Sequence, residues 1–332
     1  MMRRLSAQEV RSRLEELVAR DLEPAVSEAP EMAGLLRAYL DRPAKLLRPV
    51  LLAETARVYG AHDEEAVLDL AAATELLHVF ALIHDDRIDG IDRDGREIRD
   101  DADRATMRVL LGDLVHTVAD GIVAVIVAEH HLNPAIIRTI RDISATTVAG
   151  QVRNMRFLQD ESAITLERLF ELYDQRTGYY SFVFPLRLGA LSAGVVPAVD
   201  GPLDKLGLAL GRAFQLTDDA DDMRALSRGE LDGVPDWEFN LAATYLVETR
   251  GSSSGDTVRG IGEPSFTGDA AARSTLVAGL DVDALESWVH RQLEALSAEA
   301  EAALDSLGLP PDRKQPLAAF TRELFRTAVA KS

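Results

Sequence analysis

Apolar residues in this chain recur almost everywhere at intervals of three to four and almost nowhere at two, a pattern that commits it to helices before any other property is weighed. Val10, Leu14, Leu17 and Val18 form the first such series, and Val67, Leu70, Ala71, Thr74, Leu77 and His78 the second. The stretches from Leu110 to Val127, Leu166 to Leu186, Leu206 to Leu216 and Leu285 to Leu304 behave alike. Val79 to Ile83, Ile122 to Val127 and Leu186 to Val196 are apolar on more than one face, as suits helices buried in the centre of a large bundle. The expectation is an all-α protein forming one domain over residues 1–332.

Helix breakers fall between these segments: Pro43, Gly60, Gly90 to Gly95, Pro134, Pro197 with Gly201 and Pro202, and Pro310 with Pro311. The longest interruption, RGSSSGDTVRGIGEPSFTG from Arg250 to Gly268, reads as a flexible surface loop or lid at about 250–268, because helical periodicity resumes unchanged after it. No internal repeat at a fixed period is found.

Composition then excludes several functions. Thirty-six basic against 55 acidic residues leave a net charge of −19, the wrong sign for a duplex nucleic-acid partner or an anionic membrane surface. With no cysteine there is no disulfide frame, thiolate zinc site, iron–sulfur cluster or thiol nucleophile, and a cytoplasmic protein held by its core is expected. The segment from Leu5 to Val18 carries Glu9, Glu15 and Glu16 and does not read as a signal peptide. No stretch approaches 18 uninterrupted apolar residues, so no membrane span is expected.

Two acidic clusters stand out against this background. HDDRIDG holds Asp85, Asp86 and Asp89, and TDDADDM holds Asp218, Asp219 and Asp222. Both fit DDxxD, and each ends an otherwise apolar helix. Residues i and i+4 share a helix face while i+1 stands about 100° away, so each cluster aims two carboxylates along one wall and a third beside it. Such charges near a core ask for a hard cation. Mg²⁺ accepts one or two carboxylates and keeps its remaining positions for water and substrate phosphate, whereas EF-hand and HExxH patterns are absent. The plainer reading is acidic decoration of two helix ends.

A phosphate-bearing substrate needs cations as well. Lys45 and Arg48 in AKLLRPV stand three apart just before Pro49, which places both near a helix N-terminus suited to an anion. Arg93 and Arg176 are lone candidates, and His78 lies two turns before Asp85 on roughly the same face.

Taken together these residues resemble the trans-isoprenyl diphosphate synthases, or polyprenyl synthetases, over nearly the whole chain. AKLLRP is similar to that family's GKxxRP, ELLHVFALIHDDRID to its first aspartate-rich helix, LLGDLVHTVA to its next core helix, QRTG to its KTG, and GRAFQLTDDADD to its GxxFQxxDDxxD. The resemblance implies one bundle of antiparallel helices around a central apolar cavity, a homodimer, and condensation of isopentenyl diphosphate with an allylic diphosphate. It implies three Mg²⁺ ions with diphosphate bound, with Asp85, Asp89 and Asp218 as principal ligands and Asp86, Asp219 and Asp222 assisting directly or through water. It assigns Lys45, Arg48 and His78 to isopentenyl diphosphate, and Arg93, Arg176, Thr177 and Gln215 to the allylic diphosphate. Phe80, five residues before Asp85, resembles the stop that limits product length, which implies farnesyl to geranylgeranyl products.

The chain departs from the family pattern at three places. The second of two arginines after the first cluster is Asp94, Asn240 falls near an expected lysine, and Arg176 stands where lysine is usual. Loss of cations would also suit a terpene cyclase or a prenyltransferase with another acceptor, or a non-catalytic subunit that partners an active synthase. Retention of Lys45, Arg48 and His78 favours chain elongation.

Overall fold

A computed structural model describes residues 2–42, 45–90, 102–157, 164–230, 239–250 and 279–331. Arg93, Asp94 and the anticipated loop at 251–268 lie outside them. Every regular element among the described residues is helical. The first half of the chain forms α1 (Ala7–Leu17), α2 (Glu23–Val26), α3 (Pro30–Leu40), α4 (Leu47–Tyr59), α5 (Glu64–Asp89), α6 (Ala102–Glu129) and α7 (Ala135–Asn154). The second forms α8 (Leu166–Tyr173), α9 (Phe184–Ser192), α10 (Pro202–Ser227), α11 (Asn240–Arg250), α12 (Val282–Asp305) and α13 (Pro311–Lys331). Two π-helical segments, Val18–Leu22 and Asp174–Val183, interrupt the α-helical backbone.

Several breakers become helix ends for physical reasons. Pro202 and Pro311 open α10 and α13, where the missing N–H has no intrahelical partner to lose. Asp63 caps α5 by accepting from the Ala66 N–H, and Gly90 closes it at φ 70°, a conformation costly for a residue with a Cβ.

Contacts divide the chain into two compact units that interleave in sequence: residues 1–142, 184–201 and 309–317 in one, and 143–183, 202–308 and 318–332 in the other. In the first unit α5 packs against α6, α1 and α4, and α4 against α9. From Leu70 through Leu77 every side chain of α5 is buried, on all faces of the helix, as its nearly continuous apolar sequence requires. A Cβ on Gly189 would lie 2.4 Å from the Leu52 carbonyl oxygen, so α9 approaches α4 as closely as it does only because that residue is glycine. In the second unit α10 is the central helix and packs against α12 and the long π segment. There the missing side chains of Gly207 and Gly211 admit the backbone at Val183 and Gly178.

Both α5 and α6 reach a mean hydropathy of 1.8 over their best 18-residue window and are long enough to cross a membrane. Burial inside the protein covers 67% of the α5 window but only 39% of the α6 window. Val109, Leu110 and Val125 of α6 are exposed.

The N-terminal end of α5 is tied to the far end of α6 by an ionic contact. His130 Nδ1 donates to Asp63 Oδ2 at 2.8 Å, and its Nε2 stands 3.6 Å from Asp69, which also holds Arg13 of α1. Burial disfavours the His130 imidazolium, but Asp63, Asp69 and Glu65 outweigh it and lift its pKa above the ordinary 6.5. A raised folded-state pKa stabilises fully below the unfolded value and loses that contribution as pH rises through the raised one. His130→Gln should therefore flatten the decline of melting temperature with pH above about 6.5, measured at constant ionic strength, and a parallel pair of curves would remove the tie.

Candidate active site

The first unit carries one half of the candidate constellation. Lys45 is exposed immediately before α4, and Arg48 is half-buried in its first turn, as the Pro49 spacing predicts. Between them Leu46 is buried with φ 50°, a left-handed backbone that costs a leucine about 1 kcal/mol and fixes the entry into the helix. His78 and Phe80 lie farther back on α5, both half-buried. Phe80 stacks on His116 of α6 at 4.2 Å between centroids and meets His84 edge-on at 5.9 Å. His84 itself rests on the bare backbone of Gly112, where a Cβ would come within 2.1 Å of its ring.

At the end of α5 the three aspartates separate by direction. Asp85 is exposed, Asp89 half-buried, and Asp86 only 5% exposed. Asp86 Oδ2 accepts from the Tyr39 hydroxyl at 2.9 Å and from Arg42 Nη2 at 2.8 Å. Arg42 lies 4.1 Å over the Tyr39 ring, and Arg108 of α6 donates to the Tyr39 oxygen. Burial, reinforced by the charge on Asp86, raises the Tyr39 pKa far above its ordinary value, so the hydroxyl stays protonated and remains a donor. These contacts use the inward carboxylate to hold α3, α5 and α6 together.

The second unit repeats this arrangement. Asp218 is exposed, Asp222 half-buried, and Asp219 only 3% exposed. Asp219 Oδ2 accepts from the Tyr173 hydroxyl at 2.5 Å, and Oδ1 accepts from Gln215 Nε2 at 2.6 Å. Gln215 Oε1 in turn accepts from Thr177 Oγ1 at 2.5 Å. Thr177 and Gln215 are both buried, so the structure places them in a chain of hydrogen bonds that secures Asp219. Arg176, between them and Tyr173, is half-buried in the π segment. That segment is fixed to α10 by Arg212, which donates to both oxygens of Asp174 at 2.8 and 2.7 Å. Burial raises the Asp174 pKa, and the Arg212 pair partly offsets it.

Asn240 opens α11 with its side chain buried, and Nδ2 donates to Asn154 Oδ1 of α7 at 2.8 Å. It is a packed polar contact rather than an exposed stand-in for a lysine. Among the described residues, no three carboxylates or imidazoles converge closely enough to hold a cation by themselves. Each cluster instead offers a pair outside the buried anchor, Asp85 with Asp89 and Asp218 with Asp222, which suits an ion that takes few protein ligands and completes its shell with water and phosphate.

Sequence reading alone passed over Tyr39, Arg42 and Tyr173. A signal for them exists: Tyr39-Leu-Asp-Arg42 precedes Asp86 as Tyr173-Asp-Gln-Arg176 precedes Asp219, with tyrosine-to-aspartate separations of 47 and 46.

Comparison with known proteins shows the family. The polyprenyl synthetase family model matches residues 29–229. The chain is 29% identical to farnesyl diphosphate synthase of Geobacillus stearothermophilus over 66% of its own length and 75% of that protein's. Against nonaprenyl diphosphate synthase of Mycobacterium tuberculosis it is 26% identical, covering 91% of this chain and 87% of the relative. In fold it is similar to geranylgeranyl pyrophosphate synthase from Corynebacterium glutamicum complexed with isoprenyl diphosphate and magnesium, with a TM-score of 0.73, 22% identity and 98% of each chain covered. The matched stretch takes in both tyrosine-anchored aspartate clusters and most of the described helices, and the chain belongs to the polyprenyl synthetase family of trans-prenyltransferases.

Proposed function

We propose that this chain condenses isopentenyl diphosphate with an allylic diphosphate to give a product of farnesyl to geranylgeranyl length, with Mg²⁺ as the required ion. The observation that carries this reading is the matched sorting of the two clusters: in each, one carboxylate is anchored inward by a tyrosine and the other two stand apart from that anchor. Asp85, Asp89, Asp218 and Asp222 would be the metal ligands, while Asp86 and Asp219 set their direction. An Mg²⁺ ion held there would supply electrostatic stabilisation of the negative charge that develops on the diphosphate leaving group.

Lys45, Arg48 and His78 hold isopentenyl diphosphate, and Arg93 and Arg176 serve the allylic diphosphate. The apolar side chains of the core helices keep water from the allylic cation. The double bond of isopentenyl diphosphate attacks that cation, and the proton released in re-forming the alkene passes to the departing pyrophosphate. The exposed apolar residues Val109, Leu110 and Val125 on α6 support a homodimer that covers them.

The test is turnover of purified protein with Mg²⁺ and dimethylallyl, geranyl, farnesyl or geranylgeranyl diphosphate, each with and without isopentenyl diphosphate. A longer diphosphate formed only with isopentenyl diphosphate is expected. Hydrocarbon or alcohol from the allylic substrate alone would replace this reading with a cyclase, and no turnover in any mixture would leave a non-catalytic subunit. Product length is assigned to Phe80, whose ring is held in place by His116 and His84. Phe80→Ala should lengthen the product by one or more isoprene units in chromatographic analysis, and an unchanged distribution would sink that assignment.

A further inference from the structure

We infer that Arg42 is a binding residue for the diphosphate of isopentenyl diphosphate and supplies a charge that this chain lacks at Asp94. The inference rests on the synthase reading above and adds to it a residue outside the motifs that carry the family resemblance. Arg42 stands three residues before Lys45 and six before Arg48, so three cations recur at equal spacing in the sequence. The same chain has an aspartate where a second arginine is expected after the first cluster.

The Arg42 guanidinium is well oriented. Its Nη2 is committed to Asp86 at 2.8 Å, and its plane lies over the Tyr39 ring at 4.1 Å from the centroid. Its Nη1 is shielded from solvent and has no acceptor among the described residues. An uncommitted cationic donor in such a position is costly unless an acceptor is supplied, and an anionic oxygen is the strongest one available to it. Arginine suits this double duty because its two terminal nitrogens form a fixed fork, so that Nη1 stays available to a second acceptor while Nη2 holds the aspartate.

The second unit gives an independent parallel. Arg176 follows Tyr173 by three residues as Arg42 follows Tyr39, and each tyrosine donates to the middle aspartate of its own cluster. Arg176 falls in the motif assigned to the allylic diphosphate. By the same placement Arg42 serves the other diphosphate, alongside Lys45 and Arg48.

Steady-state kinetics of the full chain with Mg²⁺ test the assignment. Arg42→Gln should raise KM for isopentenyl diphosphate by about tenfold, as loss of one charge-assisted hydrogen bond does, and leave KM for the allylic diphosphate within about twofold. If that variant melts too low to assay, Arg42→Lys keeps a charge for Asp86 but gives up the second nitrogen. It should show the same selective rise at about threefold. A residue that only steadied Asp86 would instead shift both KM values and the Mg²⁺ requirement together, as Asp86→Asn should. Equal movement of both KM values, or an unchanged KM for isopentenyl diphosphate in either folded variant, overturns the assignment of Arg42 alone. A wild-type protein that gives no elongation with isopentenyl diphosphate overturns the synthase reading itself, and failure of isopentenyl diphosphate to bind it in calorimetry overturns both.

Discussion

Asp85→Ala is expected to lower kcat at least about a thousandfold while leaving the melting temperature within a few degrees of wild type, and Asp218→Ala should behave in the same way. Both side chains are exposed, so truncation removes little packing, and removing one charge from a crowded cluster relieves repulsion. What would be lost, on the proposed reading, is half of a carboxylate pair that holds the metal for the ionisation step. The inward aspartates should give the opposite profile. Asp86→Ala takes an acceptor away from Tyr39 and Arg42, and each donor so stranded costs roughly 1–3 kcal/mol. Its melting temperature should fall along with its activity. Thermal melts paired with single-turnover rates and a Mg²⁺ titration separate the two classes. If Asp85→Ala keeps near-normal turnover, or if Asp86→Ala is the more stable of the two, the division into binding and anchoring carboxylates is wrong.

That division also marks where sequence stops being informative. The helix bearing the first cluster is legible residue by residue: Asp63 caps it, its apolar positions repeat at helical spacing, and Gly90 ends it. The i, i+4 pairing of Asp85 with Asp89 follows from the same periodicity. Which carboxylate turns inward does not, because Tyr39 and Arg42 reach Asp86 from 47 and 44 residues away. Thr177 and Gln215 teach the same lesson. The family resemblance singles both out through their motifs, yet 38 residues of chain separate them, and only folding reveals that they bond to each other and that Gln215 bonds in turn to Asp219.

The stretch from Leu166 to Leu186 reads as one uninterrupted helical pattern, and the π segment from Asp174 to Val183 within it leaves no local trace. Its extra residue per turn is set by the pieces it packs against, chiefly Arg212, Gly207 and Gly211 of α10, and by no propensity of its own. The two compact units are only partly marked in sequence: the chain passes between them at the breakers Gly201-Pro202 and Gly308-Leu309-Pro310, but also inside α7, inside α13 and where the π segment meets α9, where no linker composition shows.

Gly211→Ala is expected to be the most damaging single-methyl change in the second unit. A Cβ there would stand 2.4 Å from the Gly178 Cα and 3.1 Å from its backbone nitrogen, so no side chain can swing aside to make room. The π segment and α10 would have to part, and overpacking of this kind costs about 1–3 kcal/mol or more. For a chain of this size that corresponds to a fall in melting temperature of roughly 1–4 °C. The separation would also stretch the 2.5 Å Thr177–Gln215 bond, which crosses the same contact and orients the Gln215 amide that donates to Asp219 within α10. Turnover should therefore fall at least about tenfold even at temperatures where the variant is fully folded, because misplacement of a binding group by about 1 Å is enough to produce such a loss. Gly34→Ala on α3 is the matched control: nothing lies within 4 Å of the added carbon, and alanine favours a helix interior by about 0.5–1 kcal/mol. That variant should melt no lower than wild type. If the two substitutions shift melting temperature alike, close backbone approach is not what sets the position of the π segment. If Gly211→Ala melts lower but keeps full activity, Asp219 does not depend on the bonds that cross this contact.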